Sequence, residues 1–577
     1  MTEFRVWAPR AERVELDLAG ERTPMKQEAG GWWALEAPGA DHGTDYAFRL
    51  DGGPPRPDPR SPWQPQGVHG PSRVLDHGRF TWTDRFWQPR PLSAALLYEA
   101  HVGTFSPEGT FEGVASRIDY LVDLGVTHLE LLPVAEFAGE RNWGYDGVNL
   151  YAPHHAYGGP EGLKRLVDTC HARGLAVILD VVYNHFGPEG AYWSDFAPYL
   201  SEQHGTSWGS GVNVDGPGSD EVRRFLIDNA LMWLRDYHLD GLRLDAVHSI
   251  HDTSALHFLE QLATEVATLE GHVGRHMVLI AESNRNDPRE VTPREAGGYG
   301  LDAQWSDDLH HTIHALLTGE RAGYIQDYGE MEDLTKVYRE AYVFDGRYSA
   351  GRQQSYGRPA RGLPGSRFVV FSQNHDQVGN RPWGERLGHL VGADKARLAA
   401  ALVLFAPYVP MLFQGEEWLA GAPFLFFTDY GDAGLREPTI EGRRKQSEEF
   451  GWGSEVPDPQ AEETFRRSAL DWAEQEREPH AGALAWYRSL IRLRCAYPEL
   501  TDGDREAVRA RDGGAARWFT ASRGRLTLAC NLAEEPQVVP LGEGRSSEIL
   551  LASGEVRVGH GAVTLGPAGV AILGPRN

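Results

Sequence analysis

Eight short apolar runs, each separated from the next by an amphipathic stretch, limit what this chain can fold into more than any other feature. They are "ALLYEAHV", "THLELLPV", "AVILDVVYNH", "GLRLDAV", "MVLIAES", "GLDAQW", "RFVVFSQNHD" and "VPMLFQGEEW". Between them lie segments such as "FEGVASRIDYLVDLG", "PEGLKRLVDTCHARG" and "DEVRRFLIDNALMWLRDYH". In the last, Phe225, Ala230, Trp233, Leu234 and Tyr237 fall near helical spacing. Gly125 and Gly174 stand where helices end, because a glycine accepts the left-handed backbone of a C-cap. Strands alternating with helices predict the α/β class, and eight of them a (β/α)8 TIM barrel with insertions. An open doubly wound sheet would need a glycine-rich phosphate loop after an early strand, and none is present.

The flanks differ in character. Residues 1–90 carry the short β-like runs "FRVWAP", "RVELDL", "WWALEAP" and "DYAFRLDG", then "DGGPPRPDPRSPWQPQGVHGPS", too rich in proline and glycine for a helix. This predicts an N-terminal β-sandwich closed by a long loop. Helical patterning runs through the barrel at 91–495 and then stops. Residues 496–577, with "ARWFTASRGRLTLACNLA" and "GAVTLGPAGVAIL", read as a C-terminal β-domain of sandwich type. Two stretches, 186–220 and 418–462, read as irregular and too long for ordinary connections, so they are expected as functional loops over the barrel mouth.

Charge narrows the partners. With 82 acidic and 56 basic residues the formal net charge of the 577-residue chain is -26, which repels phosphate backbones and anionic lipid. No nucleic acid and no membrane partner is expected. Cys170, Cys495 and Cys530 are too widely spaced for a disulfide framework or a zinc pattern. The opening "MTEFRVWAPR" lacks a signal-peptide core, and the most apolar stretch, "LAAALVLFAPYVPMLFQG", is broken by Pro407 and Pro410. A cytoplasmic location is expected.

Polar residues gather where the runs end. The third run carries Asp180 and Asn184-His185, the fourth Arg243 and Asp245, the fifth Glu282, and the seventh Asn374-His375-Asp376. One buried aspartate is more often a satisfied structural group. Four neighbouring strands delivering carboxylates, imidazoles and a guanidinium to one mouth are harder to explain structurally, since each unpaired buried charge is costly. His185, Asp245, Glu282 and His375 could approach a common metal, but no paired-histidine spacing supports one, and neither metal nor cofactor is expected. Carboxylates with aromatics suit sugars. Trp143 and Tyr145 in "RNWGYDGVNLY" follow the second run, although core packing explains most single aromatics. Glycosidic cleavage needs one ionised carboxylate and one held protonated. Arg243 should keep Asp245 ionised, and the apolar "VLIAESN" context should raise Glu282. Asp376 is a third carboxylate, able to accept from sugar hydroxyls and to counter oxocarbenium charge.

These residues resemble the α-amylase superfamily of glycoside hydrolases, family 13, whose four motifs occur in order as "DVVYNH", "GLRLDAVHS", "LIAESN" and "FSQNHDQ". The resemblance implies Asp245 as nucleophile, Glu282 as general acid/base and Asp376 as transition-state stabiliser. It implies Tyr145, His185, Arg243 and His375 around the sugar, and retention of configuration, with the two catalytic carboxyls about 5–5.5 Å apart. Longer stretches, among them "SWGSGVNVDGPGSDEVRRFLIDNALMWLRDYHLDGLRLDAVHSI" and "FQGEEWLAGAPFLFFTDY", resemble a trehalose-releasing branch of that family. That branch acts on maltooligosyltrehalose, leaves shorter maltooligosaccharides, and works after a malto-oligosyltrehalose synthase. Many α-amylases carry Lys then His beyond the nucleophile, where this chain has His248 and Ser249, which disfavours a plain starch endo-hydrolase. Asn184 matches a calcium ligand of many α-amylases, but relatives with this N-terminal sandwich often lack that ion. Candidates for gripping trehalose are Asp146, His248, Glu189, Trp208, Glu417 and Trp418. A glycogen branching enzyme shares the scaffold and is the alternative; a non-catalytic glucan-binding relic would more often lack a carboxylate.

Overall fold

The computed structural model describes residues 2–542 and 548–575. At its centre all eight predicted runs form one closed parallel barrel. We label its strands β1 (Leu97–Ala100), β2 (His128–Leu131), β3 (Ala176–Val181), β4 (Gly241–Leu244), β5 (Val278–Ala281), β6 (Ala303–Trp305), β7 (Phe368–Val370) and β8 (Val409–Phe413). Each pairs with its successor, and β8 closes on β1 through Met411 beside Leu97 and Phe413 beside Glu99. The helices that matter below are α1 (Gly159–Ala172), α2 (Ser219–Asp236), α3 (Phe258–Val273), α4 (Asp307–Thr318), α5 (His375–Gly379), α6 (Leu387–Phe405), α7 (Ala433–Glu449) and α8 (His480–Ala496).

Strand alternation decides which charges reach the barrel interior. Leu97, Ile178, Val278, Ile280, Trp305, Val369, Phe371, Val409 and Met411 fill a separate inner core. Residues in step with them toward the strand ends are Glu99, Glu130, Asp180 and Arg243, all almost inaccessible. Neighbours out of step, such as Leu179, Leu242 and Leu244, join the main core against the helices. The interior is therefore apolar below and charged above, with the charges at the carboxyl ends of the strands. Gly125, at φ 103°, ends the short helix before β2, and Gly174, at φ 78°, ends α1, as their positions predict.

Two small sheets stack at the N-terminus. One pairs Thr2–Trp7 with Trp32–Ala37 and Lys26–Gln27; the other runs Glu21–Pro24, Val14–Leu18, Asp45–Leu50, Ser72–Arg73. Phe4 meets Tyr46 between them, ring centroids 4.8 Å apart. Beyond α8, a five-stranded and a three-stranded antiparallel sheet enclose Ala529, Val539, Val563, Leu565, Ala571 and Leu573.

One expectation is corrected. The stretch 418–462 is not irregular throughout: 433–449 form α7, which carries Pro438 inside it. An internal proline removes a helical hydrogen bond and argues against a helix. Here Asp432 caps the start, accepting from Gly434 N at 2.7 Å, and contacts to the cleft rim hold the rest. The stretch 186–220 contains a hairpin, Leu200–Thr206 with Gly209–Val212.

Candidate active site

Arg243 organises the mouth. It is fully buried at the end of β4, its guanidinium 4.2 Å from the Trp305 ring centroid. Nη1 donates to Asp180 at 2.6 Å and to Asp245 at 2.9 Å, and Nη2 lies 3.3 Å from Glu282 Oε2. One cation thus gathers carboxylates from β3, β4 and β5. After Leu244 the chain leaves the strand through Ala246 in the left-handed region, φ 39°. That turn aims Ala246 N at Glu282 Oε2, 2.5 Å away. Asp245 receives a further bond, from Asn184 Nδ2 at 2.7 Å.

The two central carboxyls are treated differently. Burial pushes Glu282 up to about 8; Arg243 pulls against this while Asp245 and Asp376 add to it. Near neutrality Glu282 is therefore a proton donor. Asp245 accepts from a cation and an amide, bonds that suit a carboxylate. The two carboxyls therefore sit in different surroundings, one raised by burial and one bonded to a cation and an amide.

Around them the aromatic and imidazole groups close in. Tyr145 donates to Asp180 at 2.6 Å, and burial together with that carboxylate raises the phenol well above its usual value. Its ring stacks on His375 at 5.0 Å. His375 Nδ1 meets Glu99 at 2.5 Å. Burial would lower His375, but Glu99 and Asp376 overcome it and carry the imidazole up to about 9. His185 bonds Asn184 and lies 3.1 Å from the Tyr145 carbonyl; burial lowers it. Asp376, on α5, keeps 43% of its side chain exposed, the open carboxylate of the set.

Tyr145, His185, Arg243 and His375 thus lie with Asp245, Glu282 and Asp376 in one place. Asp146 stands just outside, accepting from Asn142 at 2.6 Å and close enough to influence His185. His248 follows the turn after Asp245; burial lowers it to about 4, and its Nδ1 has no hydrogen-bond partner. Trp208, 53% exposed at the hairpin tip, stacks on His185 at 5.1 Å. Glu417 and Trp418 are a correction. Both are fully buried, Glu417 accepting from Tyr98 and Tyr120 and Trp418 packing on Trp472, so neither is open to a sugar. Glu189 instead accepts from Gly431 N and Asp432 N ahead of α7 and meets His69 at 3.1 Å.

The histidines allowed above as metal ligands have a nitrogen engaged, His375 by Glu99 and His185 by Asn184. The side-chain oxygen of Asn184 accepts from His185 Nδ1. Among the described residues, the convergent group with metal-ligand chemistry is Glu136, His154 and His155, away from β3–β5.

Sequence reading missed Glu99, Glu130 and Asp307. Burial, then Glu99, pushes Glu130 well up beneath Arg243. Asp307 opens α4 directly after β6; burial, then Asp308 and Asp376, raise it to about 7. A charge inside an apolar run was the available signal for the first two.

Residues 78–207 match the alpha amylase catalytic domain, 1–63 carbohydrate-binding module 48 (isoamylase N-terminal domain), and 503–572 a domain of unknown function, DUF3459. The chain is 49% identical to a malto-oligosyltrehalose trehalohydrolase of Arthrobacter ramosus, covering 99% of both chains. This chain belongs to the malto-oligosyltrehalose trehalohydrolase family. Another member, from Rhizobium sp. (strain M-11), is 46% identical over 99% of this chain and 97% of its own. A crystal structure from Salmonella typhimurium, described as a candidate alpha amylase, superposes with TM-score 0.92 at 38% identity, covering 100% of this chain and 97% of that one. Outside the family, a branching enzyme of Pseudoalteromonas atlantica is 31% identical over 59% of this chain and 53% of its own.

Proposed function

We propose that the chain is a retaining glycoside hydrolase that cleaves the α-1,4-glucosidic bond next to the terminal trehalose unit of maltooligosyltrehalose. The products are trehalose and a shorter maltooligosaccharide. The observation that carries this reading is the pairing of a protonated Glu282 with an Arg243-bound Asp245, in a chain alike from end to end to trehalohydrolases.

Asp245 attacks the anomeric carbon while Glu282 gives its proton to the departing glycosidic oxygen, so trehalose leaves neutral. The product of this step is a glycosyl ester on Asp245. Glu282, now ionised, takes a proton from water, the water oxygen attacks the same carbon, and Asp245 is freed. Two inversions give net retention. Asp376 accepts from sugar hydroxyls and offsets the charge that develops on the ring. Arg243 serves twice, holding the Asp245 carboxylate in place by a hydrogen bond and limiting how far Glu282 rises. His375, tied to Glu99, donates to the sugar, and Tyr145 offers its ring face beside it. His248, Asp146 and Trp208 form the rim facing the rest of the substrate.

In the cell the substrate would come from a malto-oligosyltrehalose synthase, in the cytoplasm. No helix among the described residues is long and apolar enough to cross a membrane. The test is product analysis: purified protein with maltooligosyltrehalose should release trehalose, and with plain maltooligosaccharide of equal length far less sugar. Absence of trehalose would overturn the reading. New α-1,6 branches on amylose without new reducing ends would point to a transferase instead.

A further inference from the structure

Helix α5 has five residues, one turn, too short to hold itself. It nevertheless carries His375 and Asp376. Its start is pinned from within the barrel: Asn374 Oδ1 accepts from Gln377 N at 2.8 Å, and Glu99 Oε2 accepts from His375 N at 2.9 Å. Its end is held from elsewhere. Arg443, on the inserted helix α7, donates Nη2 to the Gly379 carbonyl at 3.0 Å. Nη1 donates to Asn380 Oδ1 at 3.3 Å and to Gln446 Oε1 at 2.7 Å. Asn380 in turn donates Nδ2 to Asp376 Oδ1 at 3.1 Å. The guanidinium packs 4.9 Å from the Phe426 ring centroid.

Arg443 makes no ion pair among the described residues, although burial works against its charge and lowers it to about 10. The opposing influence is Asp376. A partly buried cation that caps the last carbonyl of a helix stabilises that end. A cation polarising the amide that donates to Asp376 strengthens that bond too.

We propose that Arg443 is a positioning residue for Asp376: from the helix inserted after β8 it clamps the end of α5 and, through Asn380, aims the Asp376 carboxylate at the sugar. The inference rests on the role given to Asp376 above, but not on trehalose being the product.

The test is a double-mutant cycle on Arg443→Ala and Asp376→Asn, read as kcat and KM on any glucan that the wild type hydrolyses. Arg443→Ala should lower kcat roughly 10- to 100-fold, the scale of a lost charged hydrogen bond. KM should change less than threefold. In the Asp376→Asn background the same change should cost less than about threefold. Guanidinium ion should restore part of the activity of Arg443→Ala and none of Asp376→Asn. Arg443→Lys, which keeps the charge and the fold, should fall between. Equal losses in both backgrounds, or a loss that appears only in KM, overturn the proposal. So does full activity in Arg443→Ala. Failure of the wild type to release trehalose would count against the proposed function and leave the cycle readable.

Discussion

Replacing Glu282 by glutamine tests the acid assignment most directly. The carboxyl lies 18% exposed, 3.3 Å from Arg243, and burial sets it near 8, from an ordinary 4.5. A shift of that size corresponds to roughly 5 kcal/mol of preference for the neutral form, at about 1.4 kcal/mol per pH unit. The sign follows: the protonated form is the donor, so kcat/KM should fall tenfold per unit as pH rises through about 8. The same raised value makes the folded state favour the proton. That contribution to stability is fully present below pH 4.5 and lost as pH climbs through about 8. Glu282→Gln keeps the shape and removes the proton. It should lower kcat on a glucan by at least about 10²–10⁴-fold, the range for general acid catalysis. With an α-maltosyl fluoride, whose leaving group needs no proton, formation of the glycosyl ester should fall less than about tenfold. The assay is stopped-flow fluoride release beside steady-state glucan hydrolysis across pH 5–10. Equal losses on both substrates, or an alkaline limb that survives in the glutamine variant, would refute the reasoning.

Further outcomes follow from the same geometry. Asp245→Asn should abolish turnover while leaving substrate binding, seen by calorimetry, intact; a fluorosugar should label Asp245 of the wild type in peptide mass spectrometry, and labelling elsewhere would count against the nucleophile. Arg243→Met leaves three carboxyls in a dry site without their cation and should cost about 3–5 kcal/mol of stability, lowering Tm by roughly 3–6 °C for a barrel of this size; an unchanged Tm would show that the carboxyls reprotonate without penalty. Trp208→Ala removes a ring that is half exposed, so Tm should stay within about 1 °C. Its stacking surface over His185 is lost, so KM for maltooligosyltrehalose should rise several-fold, and an unchanged KM would remove Trp208 from the rim.

The barrel was legible in the sequence because each strand carries its own signal: an apolar run of strand length, bounded by a helix of amphipathic period. β4 shows how far that reaches. From "GLRLDAV" alone, Arg243 faces away from Leu242 and Leu244, and its neighbour Asp245 needs a purpose. The sequence also puts Arg243 two residues from Asp245 and Glu282 at an apolar strand end, but burial in the closed barrel and groups from other strands are what act on them. Helix α7 was not legible, because Pro438 and a weakly apolar sequence contradict it locally, and contacts far along the chain support it.

What only the tertiary structure decided is which groups meet. Glu99 and His375 are 276 residues apart, and nothing local in either says that one will hold the other. Arg443 reaches Asn380 across 63 residues. Glu417 and Trp418, which looked like rim residues, are buried behind the barrel wall. Apolar periodicity is a property of one segment and survives in the sequence. The pairing of charges depends on barrel closure, which brings distant strand ends into a common low-dielectric space where an unpaired charge is costly.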